Sequence, residues 1–391
     1  MNSKNHSKSR RRFRWPILVG LVLGLAVPAL TGGPANADTI YPTPVLGSGS
    51  DVMFHVSSAL DLLYNESPGC TTIAPSGTQP LDLGCIPQPG DIQTEDYAHD
   101  RISEAAPIGG GAGVNQLCQQ GLAGVANIDY ARQTSAPNPA PCTGLHYVAF
   151  ARDGITWEAF PKSTKSASHN MNNQAGTCSG SSGFCLTQQQ LKDIYVNCTI
   201  TNWNQIGGSK SHAIVLYTIK PQFGTRKAFD SFLGGSSSSC PGVKLMDQTD
   251  NAEIPAADRL YAIAPVSVGS WRERYGTKAG SQALGQIDGV APSSTNIQNG
   301  SFPYTRFLYN VFCASATGCG TAPEASQATQ SYVGEEGWIC TANAHALDPI
   351  TGVDYRTEIA NTITQYGFVP LPKGTIGGGN LNSDYCRLTT T

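Results

Sequence analysis

Three short stretches of the sequence join small, flexible residues to the start of a helix-like segment, and that combination is suited to holding an anion. Gly47-Ser48-Gly49-Ser50-Asp51 leads into an apolar-periodic run, Gly109, Gly110, Gly111 and Gly113 crowd the start of a second, and Phe223-Gly224-Thr225 opens a third. The first turn of a helix leaves backbone N–H groups without intrahelical partners and carries about half a unit of positive charge. Glycine there lets an oxyanion approach those donors closely. Each stretch also has a plainer reading, since glycine serves ordinary loops and Ser50 or Thr225 can cap its own helix. Three such starts in one chain make an anion site the more specific expectation.

The elements that would position these loops alternate between two periodicities. Strand-like runs are predicted at 146–152, 213–218 and 260–267, and helices at 52–64, 186–196 and 226–233. Val52, Val56, Leu60 and Leu63 share one face of the first helix, and Thr187 with Gln190 forms a capping box for the second. The class that fits is α/β, and the length allows about two domains.

Residues 1–37 read as a signal peptide. Lys4, Lys8, Arg10, Arg11, Arg12 and Arg14 precede an apolar run from Pro16 to Leu30, and Ala35-Asn36-Ala37 predicts cleavage before Asp38. The run is short and broken by Pro28, so stable membrane insertion after cleavage is not expected. With no cysteine beside the cleavage site to carry a lipid, the mature chain is expected to be secreted into the cell-wall space of a Gram-positive bacterium. Losing six basic and no acidic side chains would take the formal charge from −3 to −9, which argues against a nucleic-acid partner.

Twelve cysteines in a secreted chain read as disulfides, and none has the C-x-x-C spacing of zinc or redox sites. Nearest-neighbour pairing would join 70 to 85, 118 to 142, 178 to 185, 198 to 240, 313 to 319 and 340 to 386, although spacing alone does not fix connectivity. No nucleophile elbow, phosphate-binding P-loop or H-E-x-x-H sequence is present, and no metal or cofactor is expected. His55, on the helix after Ser50, is the one histidine near the first loop that could serve as a base.

Several longer segments carry a resemblance. LTQQQLKDIYVNCTITNWNQIGG (186–208), HYVAFARDGITW (146–157), GTRKAFDSFLGG (224–235), IDGVAPSSTNIQNGSFPYTRFLYNVF (287–312) and QYGFVPLP (365–372) together resemble the phosphate-binding proteins that feed ABC-type uptake systems. The resemblance implies a periplasmic-binding-protein type II fold, with two α/β lobes joined by two crossovers and an oxyanion cleft between them. It places lobe one at 41–141 and 271–391, and lobe two at 142–270. It also implies a monomeric solute-binding protein without enzymatic activity, which takes inorganic phosphate or a related oxyanion and works with an ABC permease.

Carried over position by position, the resemblance makes Gly49, Ser50 and Asp51 the first ligand loop, Gly110 and Gly111 the second, Arg132 a guanidinium on the anion, and Gly224 and Thr225 the lobe-two contribution. Four positions depart from the family pattern. Gly110 stands where many members have a ligand serine, Thr134 where some have an aspartate, Phe223 replaces a serine, and Ile219 stands where some have an arginine. A weaker or altered oxyanion binder is the resulting expectation. The alternatives are a secreted structural or interaction protein with a degenerate binding fold, or a secreted phosphoesterase using Ser50 and His55.

Overall fold

The computed structural model describes residues 45–66, 72–73, 92–93, 102–138, 142–159, 178, 185–208, 211–247, 254–275, 283–315, 318–335, 337–341, 351–371 and 386–390. The predicted signal peptide and the predicted Cys70–Cys85 pair lie outside these residues. Among the described residues, no helix is long and apolar enough to cross a membrane.

One mixed sheet organises the described chain. Its main path runs through β1 (Val45–Gly49), β2 (Ile102–Glu104), β3 (Tyr130–Gln133), β4 (Leu145–Ala159), β5 (Val215–Ile219), β6 (Lys244–Met246), β7 (Ala262–Ser267) and β8 (Thr305–Cys313), and the short strands Ala283–Leu284, Val369–Pro370 and Arg387–Thr390 also pair with β4. Along that path the order is β2-β1-β3-β8-β4-β7-β5-β6. β1 is parallel to β2 and β3, and β5 is parallel to β6 and β7, while β4 and β8 run antiparallel at the centre. Helices α1 (Asp51–Glu66), α2 (Gly110–Gln119), α3 (Gln188–Tyr195) and α4 (Gly224–Leu233) connect or flank these strands. The Thr187–Gln190 capping box of α3 forms as expected.

β4 is the spine, and it changes partner partway along. Val148, Phe150 and Ala151 pack with Val52, Val56, Leu60 and Leu308, whereas Tyr147 and Ala149 pack on the opposite face with Val114 and Leu117. Beyond residue 154, Ile155, Trp157 and Ala159 join a separate core with Leu191, Trp203 and Phe229. Two cores on one continuous strand make a two-lobed α/β architecture, as the sequence implied. Ile287, Ile297, Phe302 and Tyr304, which the resemblance assigned to lobe one, pack in the Trp157 core. The chain comes back alongside the Val148 side only as β8, whose Thr305 and Arg306 sit opposite Gly154 and Asp153.

The strand predicted at 146–152 continues to Ala159 in the structure, through Arg152-Asp153-Gly154. It stays extended because the Asp153 carboxylate is satisfied inside the protein: it accepts from Arg306 Nε (3.1 Å) and Nη2 (2.8 Å), from Ser267 Oγ (2.8 Å) and from the Gly269 amide (3.0 Å). A buried charge is tolerated when it is paired and hydrogen-bonded in this way. Five disulfides are formed among the described residues: 118–142, 178–185, 198–240, 313–319 and 340–386.

Behind β1, Asp61 is buried and accepts a 2.7 Å hydrogen bond from Tyr332. Burial pushes its carboxyl up to about 7, against the lowering influence of the Tyr332 hydrogen bond and the Arg132 charge. The folded chain therefore holds a proton that the unfolded chain releases near pH 4. This group's contribution to stability is complete below that pH and is lost as pH rises through about 7. Asp61→Asn should abolish the dependence. Melting temperatures measured from pH 4 to 8 should show the wild type falling relative to the variant, with a total swing of a few kcal/mol at about 1.4 kcal/mol per unit. Parallel curves would contradict the assignment.

Candidate functional site

The first loop is set by backbone geometry. Gly49 has φ of +122°, a region L side chains rarely adopt, and its carbonyl accepts from the amides of Ile108 (3.1 Å) and Gly109 (3.0 Å). The Ser50 amide donates to the Arg132 carbonyl at 3.0 Å. These bonds draw the first and second loops together on the end of β3. Part of the glycine cluster is explained by packing, since a Cβ on Gly113 would lie 2.6 Å from Gly49 Cα and one on Gly110 would collide with Gln133 Oε1.

Arg132 is fully buried, and its guanidinium lies among protein acceptors. Nη1 pairs with Glu104 Oε2, Nε reaches the Ser50 carbonyl at 3.3 Å, and Nη2 reaches the Ala105 carbonyl at 3.4 Å. Its guanidinium lies 5.4 Å from the Phe54 ring centroid, a cation–π contact. Burial lowers its pKa to about 10, with Asp61 and Asp51 opposing. In this structure Arg132 ties the first loop to the residues that precede the second. Asp51, at the start of α1, is half-buried, and burial raises its carboxyl.

On the other side, α4 starts where β5 ends. Phe223 occupies the cap position and makes no side-chain hydrogen bond to the helix, so no side chain caps the first turn of α4. The Phe223 ring packs with the core of Tyr217, Ile219 and Met246, as a phenylalanine beside an apolar surface should. The helix is pinned from behind by Arg226, which donates to Asp230 Oδ2 (2.7 Å), to the Ile219 carbonyl (2.9 Å) and to Ser236 and Ser238 (both 2.8 Å).

Gly224, Thr225, Thr134 and Arg306 meet at this helix start. Thr225 Oγ1 accepts from Arg306 Nη2 at 2.9 Å. A Cβ on Gly224 would collide with Thr134 Oγ1 and lie 3.8 Å from Arg306 Nη1, so glycine lets Thr134 pack closely against the start of α4. Thr134 and Arg306 also line a cavity of about 420 Å3, together with Ser135, Ala136, Lys227 and Phe232. A neighbouring cavity of about 470 Å3 lies between Gly111, Gln133, Gln222 and Lys227. Lys227 reaches from α4 toward the second loop, where its Nζ would be 3.2 Å from a Cβ on Gly111.

The predicted site residues thus fall into two groups. Gly49, Ser50 and Arg132 are joined by hydrogen bonds, with Gly110 backing onto Gln133 beside them. Gly224 and Thr225 sit with Thr134 and Arg306, and Gly111 faces Lys227 across the second cavity. His55 is exposed on α1, and among the described residues no hydrogen bond joins it to Ser50. No cluster of three or more metal-ligating side chains occurs among the described residues. Sequence reading had used Arg306 only as part of a motif. Its partner Asp153 is 153 positions away, and only the pairing of β4 with β8 brings them together.

The uncapped helix start and the buried guanidinium beside it can hold an oxyanion through charge-assisted hydrogen bonds. Comparisons with known proteins agree with this architecture. The profile of the PBP superfamily domain matches residues 70–330. No curated protein matches the sequence. Among solved structures, the chain resembles an ABC-type phosphate transport receptor from Vibrio cholerae, with 18% identity, 83% of this chain and 99% of that chain covered, and a TM-score of 0.51. It also resembles a protein assigned as a phosphate ABC transporter substrate-binding protein, with bound phosphate, from Clostridium perfringens. There the identity is 18%, the coverage 84% and 99%, and the TM-score 0.52. At that identity the likeness is one of fold.

Proposed function

This chain belongs to the PBP superfamily, and from that premise we propose that it is a secreted solute-binding protein that holds inorganic phosphate, or a related tetrahedral oxyanion, between two lobes for an ABC permease. The observation that carries the reading is the start of α4, which has no side-chain cap and lies beside a buried guanidinium that lines a cavity of about 420 Å3. We place lobe one at 41–152 and 305–391 and lobe two at 153–304, because the packing of β4 changes at Asp153 and β8 begins opposite it. Closing these lobes around the anion would be a hinge motion, with β4 and β8 as the two crossovers.

In this reading Ser50, Asp51, Gly110, Gly111 and Thr225 would contribute donors or backbone space to the cleft. Thr225 has a double role, since its hydroxyl holds Arg306 in place and sits at the first turn of α4. Thr225→Val should weaken phosphate binding about tenfold, which is about 1.4 kcal/mol; unchanged affinity would remove Thr225 from the site. For the protein itself, calorimetry with phosphate, sulfate and arsenate should show saturable binding of at least one. Micromolar affinity, about 8 kcal/mol, is within reach of several charge-assisted hydrogen bonds. An absence of heat with all three would contradict the proposal.

A further inference from the structure

Two polar groups at the start of α4 are buried without a partner. Arg306 Nη1 and Thr134 Oγ1 are both shielded from solvent, and neither has a hydrogen-bond partner among the described residues. Thr134 is 1% exposed and Arg306 8%. Leaving such groups unpaired is costly, and in native proteins it marks a place where something else completes the set. Both lie beside Gly224, whose missing Cβ lets Thr134 come close, and both residues line the cavity of about 420 Å3. The remaining nitrogens of Arg306 are engaged, Nε with Asp153 and Nη2 with Asp153 and Thr225, so the guanidinium is held with Nη1 as its open donor.

We infer that Arg306 Nη1 and Thr134 Oγ1 contact the oxyanion directly, at the wall of the cavity that these two residues share beside Gly224. The inference rests on the oxyanion reading above and names residues that the predicted site did not include. It also explains how the site dispenses with what Ile219 and Phe223 cannot provide. The cation comes from the returning crossover strand β8 rather than from the loop after β5, and the hydroxyl comes from the end of β3. Asp153 acts as the positioning residue: by taking Nε and Nη2 it fixes the plane of the fork. Ser267 and Gly269 fix Asp153 in turn. Thr134 from lobe one and Arg306 from a crossover would then both touch the anion beside Gly224 of lobe two, so occupancy and lobe closure would be coupled.

The test is calorimetry of the full secreted chain with inorganic phosphate, with melting temperatures recorded in its absence. Thr134→Val removes the hydroxyl at nearly constant volume. It should weaken phosphate binding by about tenfold, while the ligand-free melting temperature stays the same or rises because an unsatisfied buried group is gone. Gly224→Ala puts a methyl against Thr134 Oγ1, which forces that hydroxyl out of place, and should weaken binding by about a hundredfold or more. If the wild type binds phosphate and both variants bind it within twofold as tightly, this inference falls and the oxyanion reading stands. If Thr134→Val lowers the ligand-free melting temperature by several degrees, the hydroxyl has an internal structural role and the inference again falls. If the wild type binds neither phosphate, sulfate nor arsenate, both readings fall together.

Discussion

Arg132→Met will lower the free energy of unfolding by roughly 3–5 kcal/mol, the usual cost of removing one partner from a buried ion pair. The Glu104 carboxylate would be left inside the protein with only the Tyr130 hydroxyl, at 2.8 Å, as a hydrogen-bond partner. The carbonyls of Ser50 and Ala105 would each lose a donor, so the first loop would come away from the segment ahead of the second. A methionine fills much of the volume over Phe54 but supplies no donor. Urea unfolding of the variant measures this effect directly. Had Arg132 been a ligand group, as the sequence pattern implied, the variant would lose affinity and keep its stability. We expect the stability loss to dominate, with affinity changing only through the loosened loop. A stable variant with abolished phosphate binding would reverse that assignment.

The second large effect concerns the Cys198–Cys240 disulfide, which links positions 42 residues apart. Between them lie β5 and α4, so the bond closes a loop that contains the lobe-two half of the site. Chain-entropy reasoning assigns a loop of this length about 4 kcal/mol. The double substitution of both cysteines by alanine should therefore cost close to that amount in urea unfolding, measured against the wild type under oxidising conditions. A loss below about 1 kcal/mol would mean that the unfolded chain is already restricted by other contacts. The tether also matters for function, because Cys240 follows the Ser236–Ser238 turn that holds Arg226 against α4. Weaker phosphate binding in the double variant would accompany the stability loss.

Local signals were legible in the sequence, and remote ones were not. The α1 face, the α3 capping box and the start of α4 follow from periodicity and short-range hydrogen bonding, and they appear within a few residues of where the pattern puts them. Five nearest-neighbour disulfides form in the described chain. Periodicity marks β4 only to 152, and the partners that hold Asp153 in the extended strand beyond it, Arg306, Ser267 and Gly269, are remote in sequence. Arg132 shows the reverse case. Its spacing matched a ligand position, but the acceptors that occupy it, on Glu104, Ser50 and Ala105, are 27 to 82 residues away. The resemblance puts 271–391 in lobe one, while Ile287, Ile297 and Phe302 bury themselves against the Trp157 core.

The central claim is that a tetrahedral oxyanion sits at the first turn of α4, between Thr134 and Arg306. Arsenate is a close structural substitute for phosphate, and arsenic can be located by its anomalous scattering. A crystal grown with arsenate should show one dominant anomalous peak within hydrogen-bonding distance of the Gly224–Thr225 backbone and Arg306 Nη1. A cleft without such a peak, or a dominant peak elsewhere on the protein, would contradict the account.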